Sequence, residues 1–570
     1  MRLKIIRLVI IALFIVLVLE LFYVQVIRGQ HYYNLSLNNR IRIVPLEGWR
    51  GRIKDRHEKV LADSRISYNI LVSPQDIVNI QELFQFLSQV LGVDQPTLID
   101  AYRRKKFTPF APVAVAENVD RQKAIKIEEN KFRFPSLMIQ ESFKRFYPLE
   151  RSGAHVIGYV GKLSQERMKS FKEYGYSPPS MVGYSGVEEY YDDVLKGGSG
   201  GIQIEVNNRG QQVRLLSIKE PTKGEDITLT IDGEIQRIAQ ELIEGRVGSI
   251  VVMDMANGEV LGLVSSPAFD PNYFVDHKFS EELKAILRHP LSPLLNRAIK
   301  GQYPPGSVFK VIMALGGLDS KKITQYTTFN CPGYFQYGGK TFGDTCRYGE
   351  QNLIEAIAHS CNVYFYHVGL LIGADLIHKN ARLLTLGDLT GIDLPYEEKG
   401  FIPHRRVYLA ARKSWYAGNT INMSIGQGDI LTTPLQLVKM MATVANEGKE
   451  VQPHVIKRIG ESTVSRYDFI REVKLDSKIF DIVKKGLRAA VTDQNGTARD
   501  LNMNEIFVAG KTGTAQSAPN KDHHAWFVGY AQGESKNIAF CVFLEYGGSS
   551  HNATALAKQL LKLMHEESLL

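Results

Sequence analysis

Three short patterns in this chain carry side chains able to perform acyl transfer. The first is Tyr303-Pro304-Pro305-Gly306-Ser307-Val308-Phe309-Lys310. The prolines and the glycine stop any preceding element, and the apolar run after Ser307 starts a helix. Ser307 then stands at a helix N-terminus, where free backbone N–H groups and the dipole favour developing negative charge. Lys310 follows at i+3, over the same face as the hydroxyl. A serine hydroxyl is a weak nucleophile until a base takes its proton, and a partly desolvated lysine can do so. Alone, S-x-x-K recurs by chance in a chain this long, and a serine at a helix start is often only a cap.

Two further patterns change that balance. Ser360-Cys361-Asn362 lies 53 residues later, in an apolar helical context. Lys511-Thr512-Gly513-Thr514 lies 151 residues beyond, at the end of a strand predicted over 506–510. Ser360 can pass a proton to a leaving amine, and Asn362 can hold Lys310 or a substrate amide. Lys511 and the hydroxyls of Thr512 and Thr514 can grip a substrate carboxylate. The strand can supply a backbone N–H that joins the N–H of Ser307 as an oxyanion hole. The candidate catalytic set is therefore Ser307, Lys310, Ser360, Asn362 and Lys511, with Thr512, Gly513 and Thr514 on the substrate and neither metal nor cofactor. S-x-x-K, S-x-N and K-T-G in this order form the set shared by penicillin-binding proteins and serine β-lactamases.

The elements that must position these residues are legible in part. A strand is expected over 226–231, an amphipathic helix over 234–247, and a hairpin of strands 248–255 and 259–265 around Ala256-Asn257-Gly258. Strands over 506–510, 525–530 and 538–544 and a helix over 553–563 close the chain. A long, mainly helical insert separates the two groups of strands. An antiparallel sheet flanked by helices is the natural assembly. Upstream, Gly197-Gly198-Ser199-Gly200-Gly201 and Pro221-Thr222-Lys223-Gly224 mark a change of texture. Before them lies a mixed α/β region with charged helical stretches such as 117–130. The organisation expected is an anchor at 1–28, a pedestal domain at 29–220 and a catalytic domain at 221–570.

The chain has 570 residues and a net charge of +9. Its ordinary charged and aromatic content excludes a disordered chain, and four cysteines are too few for a disulfide scaffold. The charge is uneven: +3 falls on residues 1–28, +6 on 29–220 and none on 221–570. That distribution speaks against a nucleic-acid footprint and suits a membrane-proximal module facing anionic headgroups. The local basic run Arg103-Arg104-Lys105-Lys106 reads as a solvated face, with anionic lipid as the alternative. Arg2, Lys4 and Arg7 precede an apolar stretch, and a helix over 5–27 would be about 34 Å long, enough to span a bilayer. No small-x-small cleavage site follows it, so an anchor is favoured over a removed signal peptide. Basic residues ahead of the span put the N-terminus in the cytoplasm and residues 29–570 outside, on the periplasmic or extracytoplasmic side. Glu20 and Gln25 are costly in lipid, and no second spanning segment is visible.

With the three motifs in this order, the whole chain resembles the class B penicillin-binding proteins. Arg50-Gly51-Arg52-Ile53-Lys54-Asp55-Arg56 is similar to the family's opening R-G-x-I-x-D-R. Gly183-Tyr184-Ser185-Gly186-Val187-Glu188 is similar to its G-x-x-G-x-E, and Asn296-Arg297-Ala298, Ile425-Gly426-Gln427-Gly428 and Thr433-Pro434-Leu435-Gln436 also match. Tyr303-Pro304-Pro305-Gly306 and His524-Ala525-Trp526-Phe527-Val528-Gly529-Tyr530 look like the elongation-type members. The resemblance implies an α+β fold: an N-terminal transmembrane helix, a mixed α/β pedestal, then a transpeptidase domain with a five-stranded antiparallel sheet flanked by helices.

It further implies a serine D,D-transpeptidase acting on peptidoglycan stem peptides that end in D-alanyl-D-alanine, with carboxypeptidase action as a side reaction. β-Lactams would acylate Ser307. The implied partners are a SEDS-type, RodA-like membrane glycosyltransferase and an MreC-like scaffold. A division-specific (septal) enzyme is the alternative subtype. A bifunctional enzyme is disfavoured because 29–220 has no E-D-x-x-F-x-x-H-type motif. The anchor and pedestal disfavour a β-lactamase, the lack of a cytoplasmic signalling domain a β-lactam sensor, and the intact motifs an inert scaffold. One departure is Cys361, where the family carries aspartate. Cys331, Cys346 and Cys361 fall within 31 residues. A Cys331–Cys346 disulfide is the simplest reading in an oxidising exterior, and a zinc site with Asp344 or His359 the alternative. Cys541 reads as a core residue.

Overall fold

The computed structural model describes residues 2–33, 41–46, 48–106, 112–163, 181–207, 212–345, 347–464 and 470–570. They fall into two compact units that interleave along the chain. One comprises Met1–Gly51, Ser64–Lys144 and Lys196–Gly224; the other comprises Arg52–Asp63, Arg145–Leu195 and Glu225–Leu570.

The first unit opens with helix α1 (Arg2–Phe22), continued by a π-helical turn, Tyr23–Ile27. Within Leu3–Ile27 an 18-residue window has a mean hydropathy of 3.0, and none of the described residues buries it. A helix apolar on all sides with no protein packed on it has the length and composition of a single-pass membrane anchor. Strands Ile41–Leu46, Gly200–Val206 and Gln212–Lys219 form an antiparallel sheet. A separate core gathers on helix Ile80–Leu91, which buries Leu83, Phe84, Leu87 and Leu91 at helical spacing. Asn79 caps its start by accepting from the N–H groups of Gln81 and Glu82. The helix expected over 117–130 begins later. Residues Val113–Val119 are a strand, and Asp120 accepts from the N–H of Lys123, so the helix is Arg121–Glu129.

The second unit is built on five antiparallel strands: β1 (Gly248–Asp254), β2 (Val260–Ser266), β3 (Phe507–Ala515), β4 (His524–Gln532) and β5 (Asn537–Leu544). Their order is β2-β1-β5-β4-β3, so β3 ends the sheet. The period-two alternation of each strand divides the core in two. Val251, Met253, Trp526, Val528, Cys541 and Phe543 join one cluster with the helices of the insert. Ile250, Val252, Phe527, Phe540 and Val542 join the other, with helix α2 (Gly233–Ile243) and the closing helix Ser550–Glu566. Because both faces are covered, the strands read as near-continuous apolar runs. Among the insert's helices are α3 (Lys310–Asp319), α4 (Leu353–Ala358), α5 (Asn362–Leu383), α6 (Pro434–Ala445) and α7 (Ser477–Thr492).

The segment expected as a strand over 226–231 is shorter, Ile227–Leu229, and lies outside the five-stranded sheet. Ile227 pairs in parallel with Ile53, and on its other side with Ile459. The pieces ahead of the glycine-rich junction thus contribute to this unit. Within it the glutamate of the G-x-x-G-x-E stretch, Glu188, meets Arg145 at 2.6 Å, with both side chains at most 2% exposed. The Tyr147 hydroxyl donates to the same carboxylate at 3.3 Å. Removing one partner of a buried pair leaves the other charge unsolvated, at a cost of about 3–5 kcal/mol. Glu188→Ala should therefore lower the melting temperature of the detergent-solubilised chain by several degrees, and an unchanged melting curve would refute that role for the pair.

Candidate active site

The nucleophile turn is held from several directions. The Tyr303 N–H donates to Thr432 O at 2.9 Å, and the Gly306 N–H donates to Gly426 O at 3.0 Å. The indole N–H of Trp526 on β4 donates to Pro304 O at 3.1 Å. The Tyr303 hydroxyl donates to Glu545, which also pairs with the buried Arg297 of the Asn296-Arg297-Ala298 stretch at 2.8 Å. Gly306 has φ +55°, and a Cβ there would lie 2.7 Å from Thr514 O on β3. Gly426 has φ +70°, and a Cβ there would lie 2.2 Å from Gly306 O. Both positions need glycine because backbone passes against backbone in a left-handed conformation. Ser307 follows in a 3-10 turn, Gly306–Phe309, that leads directly into α3.

Lys310 is fully buried at the first position of α3. Its Nζ donates to Ser360 O at 2.6 Å, to Asn362 Oδ1 at 2.6 Å and to Ser360 Oγ at 3.2 Å. The first and second patterns are therefore in direct contact. Ser360 reaches this position with φ +57°, a left-handed conformation that costs a non-glycine residue about 1 kcal/mol or more. It sits in the tight link between α4 and α5.

Cys361 caps α5, its Sγ accepting from the Tyr364 N–H at 3.4 Å. Asp344 adds a carboxylate at the same helix start, accepting from the Val363 N–H at 2.8 Å. The helix thus finds its anionic cap in Asp344, which accounts for a non-acidic middle residue in the motif. The cysteine pairing differs from the expected one: the disulfide joins Cys331 to Cys361. Cys331 ends a strand, Phe329–Cys331, whose Phe329 ring packs on Tyr364 of α5, so the two sulfurs are brought together by packing. Cys346 lies outside the described residues. In that disulfide neither sulfur is a thiolate ligand for zinc, and among the described residues no group of three His, Cys, Asp or Glu can hold a metal ion. Cys541 is free and buried in β5.

K-T-G lies within β3, which runs on to Ala515 instead of ending at 510. As the sheet's terminal strand, β3 keeps one edge of N–H and C=O groups unused by the sheet. Gly513 faces the nucleophile turn, where a Cβ would lie 2.9 Å from Pro305 O. Lys511 is fully buried, and among the described residues its Nζ reaches only the Thr512 carbonyl at 3.3 Å and hydroxyl at 3.5 Å. Burial, and then the charge of Lys310, push the Lys511 pKa well below the usual lysine range. The Thr512 hydroxyl donates to Thr497 at 2.8 Å, so its proton is committed inside the protein. Thr514 is exposed. Gln427 bridges the ends: its amide N–H donates to Thr514 O, and its Oε1 accepts from the Gln516 N–H, each at 3.4 Å. Sequence reasoning matched Gln427 to a family stretch without giving it a place at the site, and Thr497 and Glu545 carried no motif at all.

A serine at a helix start, with a buried lysine held by the S-x-N side chains and a K-T-G edge strand alongside, is the arrangement of a serine acyl-transferase. The family model of the penicillin binding protein transpeptidase domain matches residues 248–562, and that of the penicillin-binding protein dimerisation domain matches residues 45–229. The chain belongs to the penicillin-binding protein transpeptidases. It is 35% identical to the peptidoglycan D,D-transpeptidase MrdA of Acinetobacter baumannii, over 94% of this chain and 83% of the relative. To the MrdA of Escherichia coli it is 31% identical, over 96% of this chain and 91% of the relative. Penicillin-binding protein 2 of Helicobacter pylori, solved in complex with MreC, superposes with a TM-score of 0.82 at 27% identity, covering 93% of this chain and 99% of that one. The Pseudomonas aeruginosa penicillin-binding protein 2 gives 0.70 at 29% identity, covering 91% and 96%. This chain is thus a class B transpeptidase of the penicillin-binding protein 2 type, a serine enzyme that crosslinks peptidoglycan during elongation.

The buried Lys511 has a linked effect on the transpeptidase's stability. Its folded-state pKa is lowered, so the unfolded chain binds more protons, and stability rises with pH toward the ordinary lysine pKa of about 10.4. Lys511→Met removes this burden. The variant should melt above the wild type, by a margin larger at pH 6 than at pH 9, in thermal melts across that range. A margin that is constant or grows with pH would contradict the assignment.

Proposed function

We propose that Ser307 is the acylated nucleophile and that the remaining residues divide the reaction as follows. Lys310, as the neutral amine, takes the hydroxyl proton as Ser307 Oγ attacks the penultimate carbonyl of a stem peptide ending in D-alanyl-D-alanine. The N–H of Ser307 and an N–H on the free edge of β3 stabilise the oxyanion. Ser360 passes the proton to the leaving amine, and D-alanine departs. Asn362 holds Lys310 and the substrate amide. Lys511 and Thr514 receive the terminal carboxylate, with Thr512 acting through its bond to Thr497 and Gly513 keeping the strand close. An amine of a neighbouring stem peptide then attacks the acyl-enzyme and completes the crosslink; water in its place gives carboxypeptidase action. The observation that carries this reading is the set of bonds from Lys310 Nζ to Ser360 and Asn362.

We further propose an anchor at 1–28 with its N-terminus in the cytoplasm, a pedestal at 29–220 and the transpeptidase at 221–570. The basic flank of the apolar helix supports the orientation. The Helicobacter pylori relative crystallised with MreC supports an MreC-like scaffold as partner of this chain. A RodA-like glycosyltransferase is proposed as the second partner, supported by a structural relative described as a peptidoglycan synthase complex coordinating polymerisation and crosslinking (TM-score 0.74, 30% identity).

A fluorescent penicillin tests the reaction. The wild type should form a long-lived adduct that Ser307→Ala loses entirely. Absence of any wild-type adduct would overturn the nucleophile assignment, and rapid turnover would point to a β-lactamase. Depletion in the host should give rounded cells by microscopy; long filaments would indicate a septal enzyme.

A further inference from the structure

The second and third motifs are joined by a segment that belongs to neither. Residues 493–498 follow α7 and form a tight turn. The Asn495 N–H donates to Asp493 Oδ1 at 2.8 Å, the Gly496 N–H to Asp493 O at 3.1 Å, and the Ala498 N–H to Ala490 O at 2.9 Å. From this turn Thr497 reaches both motifs. Its backbone N–H donates to Ala358 O at 3.2 Å, two residues before Ser360. Its hydroxyl accepts from Thr512 Oγ1 at 2.8 Å, and Thr512 in turn accepts from Lys511 Nζ.

A second tie runs in parallel. His359, directly before Ser360, lies with Nε2 3.1 Å from Asp493 Oδ1. Its Nδ1 is 2.6 Å from Gln351 Oε1. The amide of Gln351 donates to Tyr348 O and Glu350 O, which turns Oε1 toward the imidazole. Both ring nitrogens of His359 are thereby held, next to a serine in a strained left-handed backbone. A strained residue keeps its conformation only where its surroundings over-determine it.

We propose that Thr497, supported by the His359–Asp493 contact, is a positioning residue for acylation: it fixes the distance between the Ser360 end of α4 and the Lys511–Thr512 stretch of β3. The Ser307 hydroxyl and its oxyanion donors must meet the substrate carbonyl within a few tenths of an ångström, and Ser360 and Lys511 act on the amine and the carboxylate of the same departing residue. The turn 493–498 sets that span. This inference rests on the acylation reading above.

The test is stopped-flow acylation of the detergent-solubilised full chain by two penicillins with unlike side chains. Thr497 is exposed, so Thr497→Val removes the hydroxyl without opening a core cavity. It should slow acylation by about tenfold or more, by the same factor for both penicillins, with little change in melting temperature. Thr497→Ser should restore most of the rate. His359→Gln should also slow acylation, and the double variant should lose less than the product of the two factors, because both ties act on one span. A wild-type rate in Thr497→Val would overturn the proposal. So would a loss that differs between the penicillins, which would mark a direct substrate contact. A wild type that forms no adduct would instead sink the acylation reading itself.

Discussion

The structure depends on burying two lysines side by side. Lys310 and Lys511 are both fully buried, and the charge of one lowers the proton affinity of the other. An unpaired ammonium in a protein interior costs many kcal/mol unless it is satisfied or neutralised. The two lysines take different routes. Lys310 satisfies three acceptors, two of them from a single serine. Among the described residues Lys511 has only the carbonyl and hydroxyl of its neighbour, and burial lowers its pKa well below the lysine range. A carboxylate arriving beside Lys511 would supply the missing partner and favour its charged form.

Everything around these amines holds acceptors in place. Ser360 adopts positive φ so that its carbonyl and hydroxyl both face Lys310. Helix α5 starts at once with Asn362, and Cys361 and Asp344 share the capping of its exposed N–H groups. The nucleophile turn lies between a strand edge and the 425–428 turn, and only glycine at 306 and 426 permits that approach. These local costs are offset by an ordinary two-sided core: β1, β4 and β5 are buried on both faces by helices, one of which is α3 itself.

Local signals made much of this legible. Asn257-Gly258 located the β1–β2 hairpin, and the apolar runs located β4, β5 and the closing helix. The motif spacing named Ser307, Lys310, Ser360, Asn362 and Lys511 before any geometry was known. What stayed hidden was pairing across long separations. The segment at 226–231 looked like part of the main sheet because an isolated apolar run does not state its neighbour, and its neighbours are Ile53 and Ile459. The cysteine pairing followed from packing of one strand on α5, which spacing does not encode. Thr497 and His359 look like any polar residues near a helix end. Only the fold brings them beside the motifs.

The interleaving of the two units has a consequence for how the molecule forms. Ile53 pairs with Ile227, and β1 with β5, so the catalytic unit is stitched from contacts separated by hundreds of residues. Such high contact order makes folding slow, because loop closure costs entropy before any non-local contact stabilises it. The sheet receives β3, β4 and β5 only from the last part of the chain. The catalytic unit's earliest piece, Arg52–Asp63, is made long before its pairing partner Ile227. During that interval unpaired strand edges of a nascent chain are open to misassociation, so the unit that carries the apolar N-terminal helix, with a core of strands and helices drawn from residues 70–137, can form that core while the rest is still arriving.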